Sequence, residues 1–262
     1  MNPPKISVVT ICFNAVEAIE RTILSVVNQS YPNIEYIVVD GGSTDGTLDV
    51  IEKYKSRIDK LISEPDRGIY DAMNKGVRLG TGDYIQFLNA GDMFHTNSSL
   101  ADIVPQIACE NTIVYGLANF QYALMDKVRH PYPLNEMKDR MPFSHPATFV
   151  KLSYHKEHLF DTTYRSSGDY DFFYKAYYRD HVTFQHVPVV VADFEAESGM
   201  SMTNYSLRKR EDARVKGKDK DLRWRIRYWK DMCVYNVKQK LKRFIPASYL
   251  LKRRKRILES LS

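Results

Sequence analysis

The chain has 262 residues, of which 44% are hydrophobic and 27% are charged, so it is long enough for one large domain with a substantial core. No apolar run approaches the eighteen or so residues that a membrane-spanning helix needs, which argues against an integral membrane protein. The N-terminus lacks a signal-peptide layout and the three cysteines are far apart, so we expect a cytoplasmic protein.

The formal net charge of +6 is unevenly distributed along the chain. Residues 208–256 carry 20 Lys and Arg against 5 Asp and Glu, whereas the remaining residues carry 18 against 27. An acidic body with a basic tail favours an anionic surface as the partner of the tail, either a membrane or a nucleic acid.

Strand and helix patterns alternate over the first ninety residues. Residues 6–11 form an apolar, β-branched run that is typical of a strand buried on both faces. The elements predicted after it are a helix over about 15–29, a strand over 34–39, a helix from the caps at 43–45 to about 55, a strand at 61–63, a helix near 69–79 and a strand over 84–88. This order predicts a parallel sheet with right-handed crossovers, in which ligands bind beyond the carboxyl ends of the strands.

The pattern is less regular after this alternation. Residues 112–115, 127–130 and 147–151 could be antiparallel strands, a helix is predicted from about Asp169 to Arg179, and a late strand is predicted over 183–192. Beyond about Met202, basic and aromatic residues mix in predicted helices, and Pro246 is expected to break them.

The stretch Asn89 to Asp92 follows the predicted strand over 84–88. A carboxylate on such a loop, beside a glycine that lets the backbone come close, suits a hard divalent cation. Magnesium takes only one or two protein carboxylates and completes its shell with substrate phosphates and water. The same four residues are also good turn formers, so a simple turn is the alternative.

Asp40 lies at the end of the second predicted strand, before the loop over 41–46. A capped strand-to-helix turn explains Ser43 to Gly46 but not Asp40, which could hold a nucleotide base or ribose. No dinucleotide-binding G-x-G-x-x-G pattern follows the first strand, and no P-loop is present.

Further polar residues surround the later predicted helices. Arg67 and Lys75 could face phosphates, or they could belong to a solvated helix face. Asp169 would lie in the first turn of a helix, where the helix dipole favours the ionised form that can accept a proton from a hydroxyl; an ordinary N-cap is the alternative. His145 could touch a sugar or a phosphate, or it could be a structural histidine.

Two stretches taken together, SVVTICFNAVEAIERTILSVVNQSYPNIEYIVVDGGSTDGT and GDYIQFLNAGD, resemble the inverting family 2 glycosyltransferases of the GT-A fold. The resemblance is strong over about residues 5–95, weakens through about 200 and is absent from the basic tail. With its EPDRGIYDAMNKG and LNAGD stretches, the chain is most similar to bacterial enzymes of exopolysaccharide, capsule and O-antigen assembly.

The resemblance implies the GT-A fold, an α/β architecture with a Rossmann-like, mostly parallel sheet flanked by helices. It implies a catalytic domain over 1–205, with a nucleotide-sugar-binding half over 1–95 and an acceptor-binding half over 96–205. A basic, aromatic-rich helical extension over 206–262 would follow.

On the donor side, the family's residues carry over to five positions. The resemblance implies that Thr10 and Asn14 line the nucleotide pocket and that Asp40 binds the base or ribose. It implies that Asp66 and Arg67 lie beside the nucleotide.

The acidic motifs carry over with departures. Asn89 to Asp92 stand where the family commonly has a D-x-D-type cluster, so Asp92 would hold Mg²⁺ or Mn²⁺. Asn89 and Gly91 replace the earlier acids, which implies that the metal is weakly bound. Asp169 matches the catalytic base of an E-D pair in which Gly168 replaces the first acid.

These residues imply an inverting glycosyltransferase of the hexosyltransferase type. It would move a sugar from a nucleotide-diphosphate donor to a hydroxyl of a saccharide, expected to be lipid-linked, in bacterial surface polysaccharide biosynthesis. A catalytically silent nucleotide-sugar-binding or scaffold protein is the alternative, because two motif acids are missing. A nucleotidyltransferase would carry a Gly- and Arg-rich loop where CFNAVEAIE stands.

In the basic tail, Trp224, Tyr228 and Trp229 interleave with arginines and a lysine. Aromatic rings suit the headgroup zone of a bilayer and the cations suit anionic lipids, so we expect a peripheral protein on the inner face of the cytoplasmic membrane. A solvated extension is the alternative. No nucleic-acid-binding module matches, so no nucleic-acid partner is expected.

Overall fold

The computed structural model describes residues 3–108, 110–122, 126–195 and 204–242. The strands in chain order are β1 (Ile6–Cys12), β2 (Ile34–Asp40), β3 (Lys60–Ser63), β4 (Tyr84–Phe87), β5 (Met93–Phe94), β6 (Ile113–Gln121), β7 (Asp126–Arg129), β8 (Thr148–Lys151) and β9 (Phe184–Glu195). The α-helices are α1 (Ile19–Val27), α2 (Thr47–Glu52), α3 (Ile69–Leu79), α4 (Ser99–Ile103), α5 (Leu152–Glu157), α6 (Gly168–Tyr178), α7 (Tyr205–Val215) and α8 (Leu222–Lys242). Short 3₁₀ helices occupy Lys55–Arg57, Val104–Gln106, Leu134–Lys138 and His145–Ala147.

Half of the sheet is parallel, in the order β3-β2-β1-β4. In its centre, Ile6 of β1 is in register with Ile34 of β2 and with Tyr84 of β4. All seven residues of β1 are buried, as expected for a continuous apolar run that is covered on both faces. The carboxyl ends of β1, β2 and β4 therefore meet at one edge of the sheet.

The other half of the sheet is mixed and continues through β8, β6, β9 and β5. β4 is antiparallel to β8, and β6 is antiparallel to β7 and β8 but parallel to β9. The two-residue strand β5 pairs with Ala192 and Asp193 near the end of β9. This pairing fixes the segment after β4 beside the end of β9.

The hydrophobic core lies on both faces of the sheet. One face is covered by α1, α2 and α4 through Ile23, Ile51 and Leu100. The opposite face is covered by α3 and α6 through Met73 and Phe173, together with α5. This layered arrangement is the α/β architecture that the alternating pattern predicts.

The elements predicted for the first ninety residues are confirmed, with shifts at the helix ends. β1, β2, β3, α3 and β4 all begin within one residue of the predicted start. α1 begins at Ile19, four residues late, because the amides of Ala18 and Ile19 both bond to the carbonyl of Ala15 in a preceding turn. α2 ends at Glu52, before the 3₁₀ turn at Lys55–Arg57.

The later predictions also hold in outline. The three strands predicted to be antiparallel are β6, β7 and β8, although β6 continues to Gln121. The pattern does not predict α4 and α5, because helices of five and six residues repeat too few apolar positions. The predicted break at Pro246 lies outside the described residues.

α7 and α8 form a helical pair in the basic part of the chain. Tyr205 of α7 stacks on Tyr235 of α8, and Lys209 Nζ lies 2.8 Å from Asp231 Oδ2. α7 in turn contacts α6 of the α/β body. Within the described parts of the chain, none of the helices has the length and apolar character needed to cross a membrane. The division of the chain at residue 205 stays a prediction.

Candidate active site

A cleft of about 830 Å³ opens where the strands β1 and β4 end. Its walls come from the loop after β1, the turn after β4, the segment before α3, the start of α6 and the end of β9. This is the edge of an α/β sheet at which ligands are expected to bind. The cleft brings together seven of the predicted site residues: Asn14, Asp66, Asn89, Gly91, Asp92, His145 and Asp169.

A tight turn delivers Asp92 to one wall of the cleft. The amide of Asp92 donates to the carbonyl of Asn89 at 2.9 Å. Gly91 has a φ of 106°, a backbone conformation that residues other than glycine rarely adopt. Thr22 of α1 fixes the turn, because its Oγ1 accepts from the Gly91 amide at 3.0 Å and donates to the Asp92 carbonyl at 2.8 Å.

Asp92 is only 6% exposed, and burial raises the pKa of its carboxyl group to about 7. Its described hydrogen bond is a long one of 3.4 Å from the Glu195 amide. Arg21 lies nearby and donates to both the Gly91 carbonyl (2.8 Å) and Glu195 (2.9 Å). A buried, weakly bonded carboxylate of this kind would be held in its ionised form by a cation.

The oxygen atoms of this turn fit a hard divalent cation that completes its shell from a substrate. Asn89 and Asp92 both line the cleft, and the buried Asn89 Oδ1 has no hydrogen-bond partner among the described residues. Among the described residues, no group of three or more His, Cys, Asp or Glu could hold a metal by itself. The donor set therefore suits Mg²⁺ or Mn²⁺ only in company with phosphate and water oxygens.

Asp169 reaches the same cleft from the N-terminus of α6. Its Oδ1 accepts from the Tyr70 hydroxyl at 3.1 Å and from the Tyr170 amide at 2.9 Å, and burial raises its pKa. A Cβ at Gly168 would lie 2.8 Å from the Tyr70 ring, so the ring occupies the space that a side chain at 168 would need. The packing of Tyr70 thus accounts for a glycine at position 168, where the sequence resemblance implies an acid.

His145 lies beside Asp169, with 4.0 Å between Nδ1 and Oδ2. Its ring packs among Phe87, Phe160 and Phe173, and burial lowers its pKa to about 4. The imidazole is therefore neutral near pH 7, and it both supports the core and faces the cleft.

The loop after β1 is held open by the loop over 41–46. Asn14 has a left-handed φ of 46°, and its Oδ1 accepts from the Thr44 amide at 2.9 Å. The amides of Asn14 and Val16 donate to Ser43 Oγ (2.8 Å) and to Asp45 Oδ2 (3.1 Å). The sequence predicts that Ser43 to Asp45 cap a helix, but the N-cap of α2 is Gly46 without a side-chain cap bond, and these residues instead shape this wall.

Two of the predicted nucleotide-binding residues lie outside the lining. Thr10 is fully buried, and its hydroxyl bonds to that of Tyr36 at 3.1 Å. Asp40 is also fully buried, and its carboxylate accepts from the Ser43 amide (3.0 Å) and the Ser63 hydroxyl (2.7 Å). Burial by itself raises the pKa of Asp40, but these hydrogen bonds outweigh it and lower the pKa. Both side chains are thus hydrogen-bonded inside the protein, and their contact with the nucleotide stays a prediction.

The two predicted phosphate-facing cations also lie outside the lining, whereas Asp66 lies in it. The Arg67 side chain is 84% exposed and approaches Asp71 at 3.7 Å. Lys75 Nζ is bound to Glu64 at 2.9 Å and to the Pro65 carbonyl at 3.0 Å. These ion pairs are compatible with the alternative of a solvated helix face, and contact with phosphates stays a prediction.

A comparison with protein families decides the classification. Residues 7–184 match the family model described as "Glycosyl transferase family 2". The chain belongs to glycosyl transferase family 2.

Curated relatives of this family 2 chain include two mycobacterial glycosyltransferases. An uncharacterized glycosyltransferase of Mycobacterium tuberculosis (strain CDC 1551 / Oshkosh) is 33% identical over 156 residues, covering 57% of this chain and 60% of the relative. A PGL/p-HBAD biosynthesis glycosyltransferase of Mycobacterium bovis (strain BCG / Pasteur 1173P2) is 28% identical over 219 residues, covering 78% of this chain and 81% of the relative. The match thus spans about 60% of the length of the first of these relatives.

Solved structures share the fold. S. aureus TarS 1-349 in complex with UDP-GlcNAc has a TM-score of 0.63 at 18% identity, over 80% of this chain and 66% of that one. The mannosyltransferase PcManGT from Pyrobaculum calidifontis, in complex with GDP-Man and Mn²⁺, has a TM-score of 0.64 at 18% identity, over 81% and 63%. At this identity the likeness establishes the GT-A fold that the sequence resemblance implies.

The cleft of this family 2 chain also contains residues that the sequence analysis missed. Phe13 is 62% exposed at the cleft, and Arg165, Ser166 and Tyr70 line it. The position of Phe13, directly after the predicted strand, could have indicated that it lies at the cleft. Arg165 and Ser166 carried none, because only the fold brings the start of α6 beside the segment before α3.

Proposed function

We propose that the chain is an inverting glycosyltransferase of the hexosyltransferase type, which moves a sugar from a nucleotide-diphosphate donor to a hydroxyl of a saccharide acceptor. The observation that carries the proposal is that Asp92 and Asp169, from different parts of the chain, line one cleft. One acid serves the departing diphosphate and the other serves the attacking hydroxyl. Direct displacement with inversion needs only these two groups, one on the leaving-group side and one on the nucleophile side.

The leaving-group pole is the turn Asn89 to Asp92. Asp92 and Asn89 Oδ1, which has no partner in the described parts of the chain, would hold Mg²⁺ or Mn²⁺ weakly, together with the donor. A bound cation neutralises the charge that develops on the diphosphate as the glycosidic bond breaks. The presence of Mn²⁺ with GDP-Man in the PcManGT complex supports this assignment.

The nucleophile pole is Asp169. Burial raises the pKa of Asp169, and a carboxylate with a raised pKa is a stronger general base for an acceptor hydroxyl. The Tyr70 hydroxyl and the Tyr170 amide fix its Oδ1, so Oδ2 is the oxygen that would take the proton.

The nucleotide would lie along the wall formed by Phe13, Asn14 and Asp66. An exposed aromatic ring is a stacking surface for a base, and Asn14 and Asp66 offer polar groups beside it. The pyrophosphate would then extend towards Asp92.

The experiment is a screen of UDP- and GDP-sugars with Mn²⁺ for thermal stabilisation, followed by transfer assays on the donor that binds. We expect Asp169→Asn to lower the transfer rate by about 10²- to 10⁴-fold while donor-induced stabilisation persists. Asp180→Asn is the matched control, because Asp180 lies beyond the other end of α6 and bonds to Tyr154. Near-full transfer by Asp169→Asn with the donor bound would refute the base assignment.

A catalytically silent nucleotide-sugar-binding or scaffold protein is the second candidate. It is favoured by the lack, among the described residues, of any self-sufficient metal-binding group. A donor that stabilises the protein but is neither transferred nor hydrolysed with Mn²⁺ would support this candidate. Donor turnover would exclude it.

We also propose that α8 docks on an anionic membrane surface, so that the acceptor is a lipid-linked saccharide at the inner face of the cytoplasmic membrane. Leu222, Ile226, Trp229 and Val237 share one face of α8 and are all at least half exposed. Arginines and lysines flank this face, and Tyr228 and Tyr235 on the other face pack against α7. An apolar stripe between cations is the pattern of an interfacial helix.

Vesicle flotation tests this surface. The chain should float with phosphatidylglycerol vesicles, less so at high salt, and the double variant Ile226→Glu/Trp229→Glu should stay unbound. Val128→Glu is the control, because Val128 is an exposed apolar residue of β7 away from α8. Equal, salt-insensitive recovery of all three proteins in the unbound fraction would refute membrane docking. Mycobacterial relatives named for PGL/p-HBAD biosynthesis support a role in cell-surface glycoconjugate assembly.

A further inference from the structure

Glu211 of α7 is a buried acid whose side chain points into the α/β body. It is only 7% exposed, and its carboxylate accepts three consecutive backbone amides, from Arg165 (2.9 Å), Ser166 (2.8 Å) and Ser167 (2.9 Å). Among the described residues, no salt bridge involves Glu211. Both carboxylate oxygens of Glu211 therefore hold the backbone of this loop.

The loop that Glu211 binds is the wall of the cleft next to the proposed base. Arg165 and Ser166 line the cleft, Ser167 precedes α6, and Asp169 is two residues further on. Ser167 does not cap α6 with its own side chain, because its hydroxyl donates to Asp212 of α7 at 2.7 Å. A carboxylate at this end of α6 also complements the positive end of the helix dipole.

We propose that Glu211 is a positioning residue for sugar transfer, which sets the geometry of Asp169 and Arg165 through the backbone of residues 165–167. The inference rests on the proposed function, in which Asp169 is the base. The helix that opens the basic extension is thereby part of the catalytic apparatus.

Independent contacts hold α7 in place, so the role of Glu211 can be separated from docking of the helix. Arg214 lies over the Tyr164 ring at 4.1 Å and donates to Asp161 at 3.2 Å. Lys216 donates to the Asp139 carbonyl at 3.0 Å. Changing Glu211 alone should release the loop while α7 stays docked.

The test compares Glu211→Gln, Glu211→Asp and the control Asp231→Asn, which removes only the bridge from α8 to Lys209. Glu211→Gln keeps the size but aims an amide NH₂ at backbone donors, and a displaced base costs about 10- to 100-fold in rate. We expect kcat to fall in that range, the donor KM to change less than threefold, and Glu211→Asp to be intermediate. Asp231→Asn should keep the wild-type kcat.

Amide hydrogen exchange provides a readout that does not need activity. In Glu211→Gln, exchange should speed up at residues 165–169 while the later turns of α6 and α7 stay protected. A folded Glu211→Gln with wild-type kcat and unchanged exchange in the loop would overturn the proposal, as would uniform loss of protection over α6 and α7. Absence of any transfer by the wild-type protein would instead overturn the proposed function, and local exchange would still test whether Glu211 holds the loop.

The pH profile tests whether the charge of Glu211 acts on Asp169. Asp169 is faced by Tyr70 of α3, by His145, by Glu211 and Asp212 of α7, and by Arg165, which lines the same cleft. Glu211 contributes to the raised pKa of Asp169, so Glu211→Gln should move the acid limb of kcat to lower pH. An unmoved limb would contradict the closeness of the two acids.

Discussion

A single methyl group at position 168 should disturb the base side of the cleft. In Gly168→Ala the new Cβ would meet three atoms of the Tyr70 ring at 2.8, 2.8 and 2.9 Å, whereas carbon atoms normally rest at about 3.5–4.0 Å. Tyr70 is 4% exposed, and its ring packs against Phe160, so the ring has little free space. Either the ring or the start of α6 must therefore move by several tenths of an ångström.

The size of the effect follows from two opposing terms. Overpacking a core costs about 1–3 kcal/mol. Replacing a helical glycine by alanine returns up to about 1 kcal/mol. A net loss of about 1–2 kcal/mol corresponds to a drop in Tm of roughly 2–8 °C for a chain of this size. The 3.1 Å bond from Tyr70 to Asp169 should lengthen beyond hydrogen-bonding range, so transfer should fall as well.

Thermal unfolding and transfer assays on a double-mutant cycle measure both terms. In a Tyr70→Leu background the ring is absent, so Gly168→Ala should cost less than it does in the wild type. Tyr70→Phe is the control that removes only the hydroxyl bond to Asp169. If Gly168→Ala is as stable and active as the wild type, or costs the same in both backgrounds, the explanation for the missing acid is wrong.

Three further predictions concern other groups. Because a proton competes with the cation for Asp92, whose pKa is about 7, the affinity for Mn²⁺ measured by calorimetry with the nucleotide sugar bound should weaken below pH 7 and level off above it; a flat profile would contradict the assignment. Phe13→Ala should weaken donor binding by about 1–3 kcal/mol with kcat little changed, and unaltered affinity would exclude stacking. Hydrogen bonds from Lys60, Ser7 and Thr81 outweigh burial and lower the pKa of Glu35 to about 2. The stability that Glu35 contributes is therefore complete above its unfolded pKa of 4.5 and is lost as the pH falls towards 2. Glu35→Gln should flatten the pH dependence of the free energy of unfolding in urea over this range.

The parallel half of the fold is predictable from sequence because its signals are local. The run over 6–11 and the helical repeat over 69–79 each specify an element and its burial, and their alternation specifies the topology. Residues after β1 and β4 reach the cleft because of that topology alone. Asn14 and Asp92 could therefore be assigned to the cleft without coordinates.

Side-chain direction and hydrogen-bond partners are not local, so the sequence pattern does not specify them. Thr10 and Asp40 are at strand ends, but Tyr36, Ser43 and Ser63 satisfy them internally. Lys75 is neutralised by Glu64, which no helix periodicity indicates. Glu211 gave no signal, because its partners are backbone amides more than forty residues away.

The structure of a complex with Mn²⁺ and an intact nucleotide sugar tests the central claim most directly. The account predicts the diphosphate beside Asn89 to Asp92, and the anomeric carbon between that turn and Asp169 with its open face towards the Asp169 carboxylate. A donor bound with its diphosphate away from Asp92, or with its sugar turned so that Asp169 faces the leaving group, would contradict it.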